Sequence, residues 1–293
     1  MAYKLIVLDL DGTLTNSQKK ITSKTKKALM KAQENGVKVV LASGRPTFGI
    51  EPIAKELEIE KYGGYVLSFN GGRIINWQTK ETIYEQVLPH DMIPTLYEES
   101  RQQNVAILSY NGDDIVTENP DDEFVGEEAR INKMPVRGVE NFVEAVNEPV
   151  VKCLMVAEGS YLAGVEKKVK DKYSDRLNIC RSQPFFLEIT AKGIDKAKSL
   201  DRLLKHLGMT SDEMIACGDG GNDLSMIELA KLGVAMHNAQ PEVKEKANFI
   251  TLDNNHDGVA YVVNNFIFGR SKWRKAISPD FWRVKFYNRK MKK

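Results

Sequence analysis

The chain has 293 residues, 42% of them hydrophobic and 28% charged, with a net charge of +2. That is the make-up of an ordinary globular protein, too long for a typical single core, so one large and one smaller domain are expected. Three cysteines (Cys153, Cys180, Cys217), odd in number and with no CxxC pair, argue against a zinc site and for a reducing, cytoplasmic compartment. No apolar run approaches the roughly 20 residues that span a bilayer, and no signal peptide is expected from Met1–Lys4. The charge is uneven. Residues 270–293 hold ten Lys/Arg and one Asp, +9, which leaves −7 on the rest.

In chain order, the apolar run Leu5–Leu8 reads as a strand buried on both faces of a parallel sheet. It feeds into Asp9 and Asp11, which share one side of the chain because strand side chains alternate. Gly12 permits a sharp turn. Residues 16–36 read as a helix capped by Thr22 or Ser23 and stopped by Gly36. Val37–Ala42 is a second strand. It is followed by Ser43-Gly44-Arg45-Pro46 and a helix to about Leu57, with Pro46 suited to the first turn. Tyr65–Phe69 is a third strand, closed by the turn Asn70-Gly71-Gly72. Arg73–Asn76 and Thr82–Leu88 read as a hairpin leading away.

The pattern changes from Pro89. A helix is expected over Ile93–Gln103, strands over Val105–Tyr110, Asp114–Glu118 and Val150–Ala157, a helix over Tyr161–Lys172, and strands over Leu177–Arg181 and Phe185–Ile189. The first pattern then returns. It gives a helix Lys196–Leu207 ended by Gly208, a strand Met214–Cys217, a helix Leu224–Leu232, a short strand Val234–Met236, a helix Val243–Ala247 and an edge strand Asn248–Thr251. The expected fold is α/β: a Rossmann-like parallel sheet with an inserted α+β unit. The boundaries are 1–85 and 189–269 for the core, 86–188 for the insertion and 270–293 for a basic, aromatic tail.

Four clusters sit where elements of this sheet end. They are Asp9/Asp11, Ser43-Gly44, Lys196, and Asp219-Gly220-Gly221-Asn222-Asp223. Singly, each has a structural explanation: a solvated turn, a helix cap, a surface lysine, an Asx-rich turn. In this order, each at an element boundary, they point to one site. Ser43-Gly44 offers a hydroxyl and backbone N–H donors at a helix start, a natural phosphate site. Three or four carboxylates without zinc-type ligands favour a hard cation, Mg²⁺. A carboxylate can also act as a nucleophile and form an aspartyl-phosphate. Lys196 and the cation would neutralise the transferring phosphoryl group. A carboxylate two residues on can protonate the leaving alcohol and then activate water.

These motifs resemble those of the haloacid dehalogenase (HAD) superfamily of phosphohydrolases: Asp9-Leu10-Asp11-Gly12-Thr13-Leu14, Ser43-Gly44-Arg45, Lys196 and Gly218-Asp219-Gly220-Gly221-Asn222-Asp223. The insertion resembles the type IIB cap, and Asn70-Gly71-Gly72 is similar to the Asn-Gly turn of the Cof-like sugar-phosphatase branch. The resemblance covers about 1–265. It implies a Mg²⁺-dependent phosphatase of small phosphorylated metabolites, sugar phosphates among them, with Asp9 as nucleophile and Asp11 as general acid/base. It further implies Asp9, Asp11 (through its carbonyl), Asp219 and Asp223 around the metal. Ser43, Gly44, Lys196 and Asn222 would lie at the phosphate, and Arg45, Asn70 and Gly71 at the leaving group.

Three features depart from the family pattern. Ala197 follows the motif-three lysine where Gly is common, and His237 replaces Gly in the Ala-Met-Gly-Asn-Ala loop, near the rim of the site. The tail interleaves Trp273, Phe281, Trp282, Phe286 and Tyr287 with basic residues. Such interleaving can bind nucleic acid or an anionic membrane surface; docking of the tail on the protein's own acidic body is favoured over both, so no nucleic-acid partner is expected. Two other activities fit the same residues less well: a hexose phosphomutase, and a non-catalytic polyanion-binding protein using the tail. The oligomeric state is not legible.

Overall fold

The residues of the apolar run at the N-terminus are all fully buried, and they divide between two cores. Leu5 and Val7 pack with Leu200, Leu203 and Leu204 on one face, while Ile6 and Leu8 pack with Leu29, Ile50 and Val263 on the other. Each such side chain contributes about 1.5–3 kcal/mol when withdrawn from water. The run therefore sits at the centre of a sheet with helices on both faces. The computed structural model describes residues 3–269, and the expectations for the tail 270–293 lie outside the described residues.

In chain order the strands are β1 (Leu5–Leu8), β2 (Lys38–Ala42), β3 (Tyr65–Ser68), β4 (Arg73–Asn76), β5 (Thr82–Glu85), β6 (Ala106–Asn111) and β7 (Asp114–Thr117). They continue with β8 (Val136–Gly138), β9 (Lys152–Val156), β10 (Leu177–Gln183), β11 (Phe186–Ala191), β12 (Met214–Gly218), β13 (Leu232–Ala235) and β14 (Phe249–Ile250). Eight form one sheet in the order β14-β13-β12-β1-β2-β3-β4-β5. It is parallel as far as β3, and the hairpin β4–β5 continues it antiparallel. The other six form a second sheet, β10-β11-β9-β6-β7-β8, antiparallel except for the β7–β8 pair. The α/β class with a Rossmann-like sheet is thus as expected, and the second sheet is inserted in sequence between β5 and β12.

Several boundaries differ from expectation. The first helix is Ser23–Glu34 rather than 16–36, with Thr22 as its cap. Asn16 holds the preceding residues in a turn instead, because its Oδ1 accepts the N–H groups of Gln18 and Lys20 at 3.0 and 3.1 Å. The helix expected to reach Leu232 stops at Leu229. Ala230 turns extended with ψ 145°, which frees Leu232 to start β13. Residues 119–149, unassigned from sequence, contain helices Glu123–Asn132 and Phe142–Ala145 as well as β8. Among the described residues no helix is long and apolar enough to cross a membrane.

Candidate active site

The strand register brings the motifs together. Leu8 lies opposite both Leu41 and Cys217. The residues just beyond these strands therefore share one rim at the carboxyl edge of the parallel sheet, where α/β proteins gather ligands. Asp9 follows β1, Ser43 follows β2 and Asp219 follows β12. Gly12 (φ +84°) turns the chain back so tightly that a Cβ there would lie 2.3 Å from Asp219 Oδ2. Thr13 Oγ1 donates to Asp219 Oδ1 at 2.7 Å.

Lys196 opens the helix Lys196–Leu207, whose cap is Asp195. Its fully buried ammonium donates to Asp9 Oδ1 at 2.8 Å, Asp223 Oδ1 at 2.6 Å and the Ala42 carbonyl at 3.0 Å. All three ammonium protons are thereby used. Asp223 Oδ2 accepts the N–H groups of Asp219 and Gly220 at 2.9 and 3.0 Å, which fixes the loop that presents Asp219. Oxygens of Asp9, Asp219 and Asp223 lie within 4.8 Å of one another.

This cluster is under electrostatic tension. Burial raises the Asp9 carboxyl above its ordinary range, and the Asp223 carboxylate adds to that, although Lys196 offsets part of it. Burial pushes Asp219 up to about 6, with Thr13 pulling it down and Asp223 pushing it further up. Burial would lower the Lys196 ammonium, but Asp223 and Asp9 raise it above its usual value, so it stays charged. Asp11 behaves differently. Burial raises it, but the Arg45 guanidinium more than compensates, through bonds of 2.7 Å to each carboxylate oxygen, together with Lys19 at 2.7 Å. The donor set is all hard oxygen, negatively charged and only partly neutralised by Lys196. It fits a small hard dication and no soft metal.

Of the expected residues, Asp9, Asp11, Ser43, Gly44, Arg45, Asn222, Asp219 and Asp223 line one cavity of about 220 Å³. Lys196 is not on its surface but directly beneath, under Asp9 and Asp223. Asn70 also stays off the wall, where its Oδ1 accepts from Asn222 Nδ2 at 2.9 Å and so orients that side chain. Gly71, which the resemblance puts at the leaving group, does not line this cavity. A Cβ on Gly71 (φ +100°) would lie 2.8 Å from the Asp195 carbonyl, and its own carbonyl accepts from Ser199 Oγ at 2.6 Å. It is packed against the start of the helix that carries Lys196, not against the cavity. Ser199→Ala leaves that carbonyl without its buried donor and is expected to cost about 1–3 kcal/mol in urea denaturation. Asp11 also stands apart from the metal-ligand set as far as its side chain goes, since its carboxylate faces Arg45 and Lys19. His237 is exposed and does not line the cavity.

Sequence reasoning missed a second group of lining residues, including Glu128, Asn132, Lys152, Phe186 and Glu188. The signals are present but faint: a lysine opens the otherwise apolar strand β9, a glutamate sits inside the mostly apolar β11, and Asp122 caps the helix Glu123–Asn132. Thr13, to which the first motif assigns no role, holds Asp219 in place.

A parallel sheet whose central strand ends in a buried aspartate, held by a lysine from a distant helix and facing an acidic loop, is an arrangement suited to handling a phosphoryl group. The profile of haloacid dehalogenase-like hydrolases matches residues 6–263, and the chain belongs to that family. It is 35% identical to "Putative phosphatase YxeH" of Bacillus subtilis (strain 168), over 92% of this chain and all of that one. A crystal structure of a haloacid dehalogenase-like hydrolase from Bacteroides thetaiotaomicron is 52% identical with a TM-score of 0.88, covering 90% of this chain and 99% of that one. A solved HAD subclass IIB sugar phosphatase is 28% identical with a TM-score of 0.75, covering 90% and 98%. The protein is a phosphatase.

Proposed function

We propose that the protein is a Mg²⁺-dependent phosphatase of small phosphorylated metabolites, sugar phosphates foremost, and that it works through an aspartyl-phosphate on Asp9. The carrying observation is the Lys196 ammonium, buried under the cavity and bonded at once to Asp9 and Asp223. The similarity to a subclass IIB sugar phosphatase supports the substrate class.

In this reading Asp9 and Asp219 hold the Mg²⁺, with the carbonyl of Asp11. Asp223 has both oxygens committed, to Lys196 and to two backbone N–H groups, so it acts one layer out and positions Lys196 and Asp219. The cation, when bound, neutralises charge on Asp9 and the phosphoryl oxygens so that two anions can approach. The Ser43 hydroxyl, the Gly44 N–H and Asn222 orient the phosphoryl group. The Asp9 carboxylate forms the new O–P bond as the ester O–P bond breaks, and Asp11 delivers a proton to the departing alkoxide. Asp11 then takes a proton from water as that water attacks phosphorus, and the Asp9–phosphorus bond breaks to release phosphate. Asp11 must first leave both Arg45 and Lys19, which hold it as the carboxylate; once released it takes up from solvent the proton that it delivers, and Arg45 turns towards the substrate. The insertion 86–188 acts as a cap that shields the aspartyl-phosphate and shapes specificity. The three free cysteines fit a cytoplasmic setting.

The test is a panel of phosphate esters scored for inorganic phosphate with Mg²⁺ and with EDTA. Mg²⁺-dependent release is expected. Isomerised hexose phosphate without release would make the enzyme a mutase, and undiminished release in EDTA would refute the metal. Gly12→Ala provides a narrower check. Its Cβ must displace Asp219, and calorimetry is expected to show Mg²⁺ binding weakened by about tenfold or more.

A further inference from the structure

The basic, aromatic run 270–293 takes no part in that chemistry, and it lies beyond the stretch 6–263 that the family profile matches. Its sequence joins ten Lys/Arg and a single Asp to Trp273, Phe281, Trp282, Phe286 and Tyr287, with Ile277, Val284 and Met291 among them. The described residues fix the surface from which it starts. The Lys31 ammonium sits 4.5 Å from the centroid of the Phe268 ring, so the chain reaches Gly269 beside the last turn of the helix Ser23–Glu34. That turn leads into the start of β2. The run therefore begins at the amino edge of the parallel sheet, opposite the rim that holds Asp9, Ser43 and Asp219.

That surface is itself basic. The helix carries four lysines and one glutamate, and Lys24, Lys27 and Lys31 form one stripe along it. Lys27 is exposed and has no carboxylate within 4.0 Å among the described residues. On this helix only Glu34 opposes the stripe. The neighbouring carboxylates Glu56, Glu58, Glu60 and Glu213 each face a lysine of their own, and the stretch 258–269 carries no charge. The run thus starts beside charge of its own sign. This turns the balance away from docking on the protein's own body and towards a partner that is negative over a wide area.

We propose that residues 270–293, together with the lysine stripe of the helix Ser23–Glu34, bind anionic lipid and hold the enzyme at a membrane surface. The Lys and Arg side chains are drawn to the headgroups, Trp and Tyr rings occupy the interface, and Phe and aliphatic side chains reach the acyl boundary. A nucleic acid would stack on the aromatics but would give Ile277, Val284 and Met291 little to bury against.

The full chain is sedimented with vesicles of phosphatidylglycerol and phosphatidylcholine in equal parts, and with vesicles of phosphatidylcholine alone. Trp77 is 6% exposed in the core, so a blue shift of tryptophan emission on binding reports Trp273 and Trp282. Affinity for the anionic vesicles is expected to exceed that for the neutral ones by about a hundredfold, and to fall as salt is raised. Lys27→Glu/Lys31→Glu and Arg283→Glu/Lys285→Glu should each weaken it by about tenfold or more. Both leave phosphate release unchanged, because the run begins at the edge opposite the cavity. Equal affinity for the two kinds of vesicle overturns the inference, and so does undiminished binding by either variant. Emission already blue in the free protein and unmoved by vesicles overturns it in favour of docking on the protein's own body. Tighter binding to single-stranded RNA than to the anionic vesicles overturns it in favour of a nucleic acid.

Discussion

Asp9→Asn is expected to lower turnover by on the order of 10⁴-fold or more without unfolding the protein. The amide is isosteric and can still accept a hydrogen bond from Lys196, but it cannot attack phosphorus. The same change should not weaken the metal-free fold. Burial, reinforced by Asp223, raises the Asp9 carboxyl from its ordinary 3.8 to about 8. A carboxyl raised in this way contributes stability that is fully present below its unfolded value and is lost as pH rises through the folded one. Above pH 8 the ionised Asp9 therefore strains the metal-free protein, and the neutral amide relieves that strain. Thermal melts in EDTA at pH 8.5 should place Asp9→Asn at or above wild type. A variant that melts well below wild type would show that Asp9 supports the fold rather than the chemistry.

Lys196→Met is expected to do the opposite to stability. The ammonium compensates two buried carboxylates and satisfies the Ala42 carbonyl. Removing one partner from a buried ion cluster costs about 3–5 kcal/mol because uncompensated charge remains. Activity should vanish as well, since nothing else beneath the cavity neutralises the phosphoryl group from the core side. The double variant Asp9→Asn/Lys196→Met deletes one of the stranded carboxylates. Its urea midpoint should recover part of the loss, a non-additivity expected of groups in contact. Strict additivity would separate the two residues energetically and contradict the bonded geometry.

The core of this site was legible because its chemistry is written in short local patterns. An apolar strand that ends in Asp-x-Asp announces its own position, and three such strand ends become one rim once the strands pair in parallel. The register of Leu8 with Leu41 and Cys217 is a tertiary fact, but the sequence order of strands and helices implied it. Lys196 was found by its place at a helix start, although its complete burial was not legible. The long first helix was overextended because the Asx turn at Asn16 competes locally with helix and leaves no trace in periodicity. The place of Gly71 off the cavity is not legible, because a turn glycine can free the backbone for a ligand or for a packed helix, and only the Ser199 contact shows that it packs on the helix. The second lining group was missed for a different reason. Glu128, Lys152 and Glu188 come from three elements far apart in sequence; Lys152 and Glu188 each read alone as a stray charge in an apolar strand, and Glu128 as one charge among several on a helix.

In the proposed mechanism Asp9 becomes phosphorylated. Borohydride reduces an acyl-phosphate to the alcohol, so quenching the enzyme during turnover of a good ester with Mg²⁺, followed by peptide mass spectrometry, locates the phosphorylated carboxylate. Reduction at the Asp9 side chain, absent without substrate and absent in Asp9→Asn, is the predicted result. Reduction at Asp11 or any other carboxylate, or steady phosphate release with no reducible carboxyl at all, would contradict it.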